Sequence, residues 1–191
     1  MNDERVLNSD RHYIELLKEY PVHKILDIGG GGEGIIGKLY GSNVVAIDIR
    51  KNELEECQNE SLKIVMDASN MQFLGDSFDT VTSFYSLMYM TQKTQEKVIA
   101  EIYRVLKPGG IFEIWDFEIP RYDGALKDIF VANLQIKLEG FAETINVGYG
   151  VLMDDLGQKE NVITQFATEK GFKPFDREYE SGHFNLKFEK N

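Results

Sequence analysis

ILDIGGGGEGIIGKL, Ile25 to Leu39, changes abruptly from an apolar run to four consecutive glycines, and VVAIDI, Val44 to Ile49, follows it. An apolar run bounded by glycine reads as a buried parallel strand entering a tight turn. Glycine belongs where φ turns positive, or where a ligand must touch backbone that carries no Cβ. After Gly34, the residues Ile35, Ile36 and Leu39 have helical spacing, so the turn opens a helix whose N-terminus faces the ligand. The second run is a strand ending in Asp48, 19 residues beyond Gly29. An acid at about that distance hydrogen-bonds both hydroxyls of a ribose. These features outline a nucleoside-binding βαβ unit.

Gly29-x-Gly31-x-x-Gly34 also matches the dinucleotide fingerprint, a short pattern that an unrelated glycine-rich turn would match too. Asp27 separates the readings. A carboxylate at the end of a buried strand is costly unless it meets a partner. A cationic amino group on a ligand is such a partner, whereas a pyrophosphate would be repelled. The reading therefore favours a cationic nucleoside ligand over a dinucleotide.

The 191 residues suit one domain with a single core. With 42% hydrophobic and 28% charged residues the composition is that of a globular chain rather than a disordered one. The formal charge of −11, spread along the chain, argues against a nucleic-acid footprint, which needs a basic face. Cys57 is the lone cysteine and has no internal disulfide partner, which fits a reducing cytoplasm. MNDERVLNSDRHY has no apolar core or cleavage site, so no signal peptide is expected, and no apolar run is long enough to cross a membrane. His12 and His23 have no metal-ligand spacing, and no metal site is expected.

Along the chain, Val6 to Tyr20 is loosely helical and ends at Pro21, predicting an N-terminal helix within residues 1–22. Lys51 to Glu60 reads as a short acidic helix, and Leu62 to Met66 as a strand ending in Asp67-Ala68. Phe78 to Phe84 reads as a further strand, and Gln92 to Leu106 as an amphipathic helix stopped by Lys107-Pro108-Gly109-Gly110. Ile111 to Asp116 forms the fifth strand. Such alternation predicts an α/β fold with a parallel sheet covered by helices on both faces. Glu113, Asp116 and Glu118 read as solvated acids at a strand end. From Phe130 to Leu138, and again from Ile145 to Val151, apolar residues alternate with others, predicting an antiparallel hairpin within an insertion spanning 121–156. A helix over 125–138 is the rival reading. Gln158 to Lys170 is helical, and Phe172 to Tyr179 with His183 to Phe188 forms a terminal strand pair.

Taken together, the motifs resemble those of the class I, Rossmann-like S-adenosylmethionine-dependent methyltransferases, in particular a small-molecule, methyltransferase-11-like branch. ILDIGGGGEG resembles their first motif, AIDI the second, VMDAS the third, FDTVTSFYSL the fourth, and YRVLKPGGIFEIWD the segment around the fifth strand. The resemblance covers about residues 24–116 and resumes at the terminal strands. It implies a doubly wound, mostly parallel seven-stranded sheet with an antiparallel C-terminal strand and the hairpin inserted after the fifth strand. S-adenosylmethionine is the cofactor it implies. Asp27 and Gly29, with Gly31 beside them, would hold the methionine part, and Asp48 the ribose. Ile49 would pack on adenine, Asp67 would meet its amino group next to Ala68, and Ser83 and Phe84 would lie beside the sulfonium. The chain departs from the pattern in carrying Glu33 where a third glycine is usual, and Met88 and Tyr89 where histidines are common.

The implied reaction is in-line attack by an acceptor O, N, C or S atom of a small molecule on the sulfonium methyl. Alignment in a dry site can supply roughly 7–11 kcal/mol of the barrier. A dedicated base is not required, and no catalytic residue is assigned. Tyr85, Tyr89 and Tyr149 are candidates for contacting the acceptor, with packing as the simpler role. The rivals are a nicotinamide-dinucleotide oxidoreductase and a non-catalytic binding protein. The apolar face of the hairpin predicts either a wall over the cofactor cleft or a homodimer contact.

Overall fold

The computed structural model describes residues 4–191. The first elements are two strands, β1 (Val6–Asn8) and β2 (His12–Leu16), and not the expected helix. Tyr13, Ile14, Leu16 and Leu17 fit a period of either 2 or 3.6. A strand prevails because Ile14 and Leu16 are buried while Tyr13, Glu15 and Leu17 face outward. The first three residues of the N-terminal expectation lie outside the described residues.

The glycine-bounded run is β3 (Ile25–Ile28), buried at all four positions, and α1 (Ile35–Tyr40) follows the glycines. Then come β4 (Val44–Asp48), α2 (Lys51–Glu56), β5 (Leu62–Val65), β6 (Phe78–Phe84) and α3 (Gln92–Val105). The Thr91 hydroxyl caps α3 by accepting from Thr94 N, and the helix presents Val98, Ile99, Ile102 and Val105 to the core. Lys107-Pro108-Gly109-Gly110 does not separate helix from strand. It lies inside β7 (Leu106–Phe117), whose pairing with β6 shifts register between Phe78 and Thr80. After β7 come β8 (Ile129–Leu138), β9 (Thr144–Leu152), α4 (Glu160–Lys170), β10 (Phe172–Glu180) and β11 (His183–Lys190).

The fold is α/β with a mostly parallel central sheet. Its order is β10-β11-β7-β6-β3-β4-β5, antiparallel only where β11 joins β7 and β10. One face is covered by α3 and α4 through Val98, Ile102, Ile163 and Ala167. The other meets α1 and a second, four-stranded sheet.

That second sheet contains the hairpin, with β9 antiparallel along one edge of β8. The opposite edge carries β1 at 129–131 and β2 at 134–138, both parallel to β8. The edge of β8 opposite β9 is thus filled by the chain's own beginning. Phe130, Ala132, Leu134, Ile136 and Leu138 are all buried in the cluster that contains Phe84, Trp115 and Phe117. The insertion is therefore part of the core. Alternation decides for strand over helix here, because every second residue of β8 is buried and every other one only partly so.

Ile136→Ala removes a fully buried side chain between the two sheets. It is expected to lower the unfolding free energy by about 2–5 kcal/mol, measured by denaturant titration.

Candidate active site

At the carboxyl ends of β3, β4 and β6 lies a cavity of about 690 Å³, lined by the whole glycine loop Gly29–Gly34. Ligands of open α/β sheets bind at this place in the fold. The loop is held at several points. The amides of Gly29 and Gly30 both donate to Ile47 O, at 2.8 and 3.1 Å, and Gly32 N donates to Glu53 O at 2.9 Å. From behind, Asn59 Nδ2 donates to Gly34 O at 3.0 Å, and buried Cys57 fills the space beneath Gly34. Several of these glycines are sterically required, Gly29 and Gly30 among them. A Cβ on Gly30 would stand 2.6 Å from Asp27 Oδ2, and one on Gly29 would meet Ser86 Cβ at 2.5 Å with φ at +69°.

Asp27 lies under this loop, 2% exposed, with Oδ1 accepting from Thr82 Oγ1 at 2.8 Å. Burial raises its pKa to about 7, against the lowering by Thr82, and nearby Asp48 raises it further. Asp48 is half-buried, and its Oδ1 accepts from Arg50 N at 2.8 Å. Its Oδ2 would stand 3.0 Å from a Cβ on Gly31. Asp67 is exposed and accepts from Ser69 N at 2.8 Å, an Asx turn that presents Ala68 to the cavity. Ile49 is largely exposed at the mouth of the cavity.

Of the nine residues singled out in the sequence, Asp27, Gly29, Gly31, Asp48, Ile49, Asp67, Ala68 and Phe84 line this one cavity. Ser83 does not. It is fully buried behind Ser86, the two hydroxyls being 2.8 Å apart, and Ser86 Oγ donates to Ile28 O. The side chain at the cavity is Ser86, because β6 ends at Phe84 and the chain turns at Tyr85, whose φ is +50°. A left-handed residue after a strand was not foreseeable from FDTVTSFYSL.

Glu53 and Arg50, which pair at 3.3 Å on the rim, were not expected from the sequence, whereas Val147–Gly150 of β9 forms a wall of the cavity, one of the two roles expected for the hairpin. The apolar alternation of 145–151 was the available signal for that wall. The acids of β7 are not solvated, contrary to expectation. Glu113 is buried, and burial pushes its pKa up to about 7 although Lys187, Asn185 and the Tyr20 hydroxyl all favour its charge. Asp116 is buried and likewise raised to about 7 by desolvation. Its carboxylate accepts from Phe117 N at 2.8 Å and from Met88 N at 3.1 Å. Asp116 thus ties the loop that borders the cavity to β7. Among the described residues no cluster has the makings of a metal site, and no helix is long and apolar enough to cross a membrane.

Residues 26–114 match the family model for a methyltransferase domain. Phosphoethanolamine N-methyltransferase 3 of Arabidopsis thaliana is 24% identical over 92% of this chain and 36% of its own length. Sterol 24-C-methyltransferase ERG6B of Gibberella zeae is 29% identical over 78% of this chain and 42% of its own. The chain thus spans well under half the length of these curated relatives. A solved S-adenosylmethionine-dependent methyltransferase from Methanosarcina mazei superposes with a TM-score of 0.62 at 21% identity, covering 89% of this chain and 93% of that one. Residues 26–114, a little under half of the chain, thus resemble a methyltransferase domain, and the fold is that of a solved S-adenosylmethionine-dependent methyltransferase.

The residues present fit that cofactor. The glycine loop leaves a cradle that a Cβ would fill, and the buried carboxylate beneath it lacks a positive partner. Because burial raises the folded-state pKa of Asp27 above its unfolded value, native protein holds a proton there that unfolded chain has released. Stability without ligand is therefore lost as pH rises from about 4 to about 7. Asp27→Asn removes this dependence. The unfolding free energy of the variant minus that of the parent should increase across this window and level off above it, by denaturant titration at several pH values.

Proposed function

We propose that this chain transfers the methyl group of S-adenosylmethionine to a small-molecule acceptor, with residues 1–191 acting as one domain. The observation that carries the reading is Asp27: a carboxylate under the glycine loop whose burial is unfavourable until an ammonium reaches it. In this reading Asp27, Gly29 and Gly31 hold the methionine part, and Asp48 accepts from the ribose hydroxyls. Ile49 packs on the adenine, and Asp67 accepts from its amino group beside Ala68. Phe84 and Ser86 border the reacting end, with Ser83 fixing Ser86 from behind. The cofactor, when bound, supplies an electrophilic methyl on a positive sulfur. The chain contributes alignment and exclusion of water, through the β9 wall on one side and the Asp116-anchored loop on the other.

A nicotinamide dinucleotide fits less well, since its pyrophosphate would lie against the loop above Asp27 with no cation other than the glutamate-paired Arg50 on the cavity wall. We read the hairpin as the wall of the acceptor pocket rather than a dimer element, because β8 has both edges filled within the chain. The lone, buried Cys57 accords with a reducing, cytoplasmic setting. The names of the relatives, sterol and phosphoethanolamine methyltransferases, agree with a small acceptor in place of a macromolecule.

S-adenosylhomocysteine should bind the purified chain in calorimetry, and NAD should not. Asp48→Ala removes up to two charge-assisted hydrogen bonds worth about 1.5–3 kcal/mol each, so affinity should drop at least tenfold with little change in ligand-free melting temperature. Heat from NAD and none from S-adenosylhomocysteine refutes the assignment. An Asp48→Ala variant that binds as tightly as its parent removes Asp48 from the ribose site.

A further inference from the structure

Behind the glycine loop, between α2 and β5, Asn59 is half-buried and turns its side chain onto the start of α1. Its Nδ2 donates to Gly34 O at 3.0 Å and lies 3.0 Å from the Cys57 sulfur. Its Oδ1 accepts from Ser61 N at 3.1 Å and from Ser61 Oγ at 2.6 Å. Ser61 N can only donate and Gly34 O can only accept, so one orientation of the amide satisfies both ends. The fit is close. A Cβ on Gly34 would stand 2.4 Å from Asn59 Nδ2, and one on Gly37 would stand 2.4 Å from the same atom. Glycine weakens a helix interior, and at Gly37 it leaves the room that Asn59 occupies.

The contact bears on both ends of the loop. At one end, Gly34 O accepts from Asn59 and also from Lys38 N, while Gly34 N donates to Gly31 O at 3.1 Å and closes the turn that contains Gly31. At the other end, the Cys57 thiol, itself held by Asn59, donates to Gly30 O at 3.7 Å. Burial pushes the Cys57 thiol up, so it keeps the proton it donates. Between them, Gly32 N donates to Glu53 O. The segment from α2 to Asn59 thus grips the loop at Gly30, Gly32 and Gly34, and Asn59 takes part in the first and the last. Neither Asn59 nor Cys57 lines the cavity itself. The acids given to ribose and adenine are held elsewhere, Asp48 by Arg50 N and Asp67 by Ser69 N.

We propose that Asn59 is a positioning residue for the methionine end of the cofactor, holding Gly30 to Gly34 in the shape that receives the amino-acid part without touching the ligand. The inference rests on the S-adenosylmethionine reading above. Without the Asn59 donor, Gly34 O keeps only Lys38 N, and the Cys57 thiol loses the group that holds it against Gly30 O. The loop then spends part of its time away from the receiving shape. Apparent affinity falls in proportion to the fraction of molecules that still hold it. The loss falls on the amino-acid end of the ligand and spares the nucleoside end.

The test uses the full chain and two variants. Asn59→Asp keeps the size and the acceptor for Ser61 but sets an oxygen where the donor to Gly34 O stood, and Asn59→Ala removes the group. Two ligands are titrated by calorimetry. One is S-adenosylhomocysteine, and the other is methylthioadenosine, which keeps the adenine, ribose and sulfur and lacks the amino-acid end. S-adenosylhomocysteine is expected to bind each variant about tenfold more weakly than the parent. Methylthioadenosine is expected to stay within about threefold, because its contacts lie away from the clamp. A general loss of packing would weaken both ligands alike. Melting without ligand reports folding, and either variant decides where the other does not fold. Undiminished S-adenosylhomocysteine binding by a folded variant, equal weakening of the two ligands, or failure of both variants to fold overturns the positioning role and leaves the cofactor reading intact. A parent that binds neither ligand instead overturns the cofactor reading on which the inference rests.

Discussion

The close approach of the glycine loop to the Asp27 carboxylate is the constraint on which the rest of the structure depends. Asp27 Oδ2 lies where a Cβ on residue 30 would be only 2.6 Å away, and Ala46 Cβ would be 2.8 Å from the same point. The turn can therefore lie flat over the ends of β3 and β4 only as glycine. It lies there because Ile47 O accepts two successive glycine amides, which draws the loop onto β4. The acid is consequently taken out of water, and the protein keeps an unfavourable buried carboxyl at the bottom of the cavity at the strand ends. Burial outweighs the Thr82 hydrogen bond, which is why its pKa moves up rather than down. A polar group tolerated at such a cost marks the place where a ligand of opposite charge is worth most.

The wall opposite this loop comes from a sheet, and the reason is in the aromatic packing. Phe84, Trp115 and Phe117 form a broad apolar surface at the ends of β6 and β7, which the buried side of β8 covers. From there four near-parallel rings run from the cavity to the far edge of the second sheet. Tyr149 stacks on Tyr85, Tyr85 on His183, and His183 on His12 at 3.8 Å. His12 belongs to β2 and His183 to β11, so the column ties the chain's first strands to its last. Burial and the neighbouring His12 drop the His183 pKa to about 3, and burial lowers that of His12 as well. Both rings are thus neutral near pH 7, and stacking two imidazoles incurs no charge repulsion.

Legibility followed the range of the interaction. The β3–glycine–α1 unit, Asp48 at the end of β4 and Asp67 after β5 were readable because each depends on neighbours within a few residues. The hairpin was readable because a period of 2 persists through β8 and β9. What failed were features fixed by distant partners. Residues 6–16 have a pattern compatible with helix or strand, and only the free edge of β8, more than a hundred residues away, selects strand. Glu113 looks like a solvated acid because Tyr20 and Asn185, its hydrogen-bond partners, lie 93 and 72 residues distant. Motif position, counted along the strand, puts Ser83 at the cavity. The left-handed turn at Tyr85 moves the contact to Ser86, and no local signal in SFYSLM announces it.

That turn is itself explained by what lies beneath it. Asp116, fully buried at the end of β7, accepts from Met88 N and Phe117 N, with the Gln158 side chain beside it. Gln158 in turn donates to Phe117 O and accepts from Gln95, whose amide also donates to Leu87 O. The loop 86–90 is thus fastened at two backbone positions by side chains of β7, α3 and the segment before α4. Tyr85 N donates to Trp115 O at 2.8 Å, fixing the residue where the strand ends. With both neighbours pinned, Tyr85 has one way to connect them, and that way needs positive φ. A flexible loop would relax the strain and let the phenol find a partner. This network prevents it, so the strained backbone and the unpartnered hydroxyl share a single cause, the rigid fastening of the loop that borders the cavity.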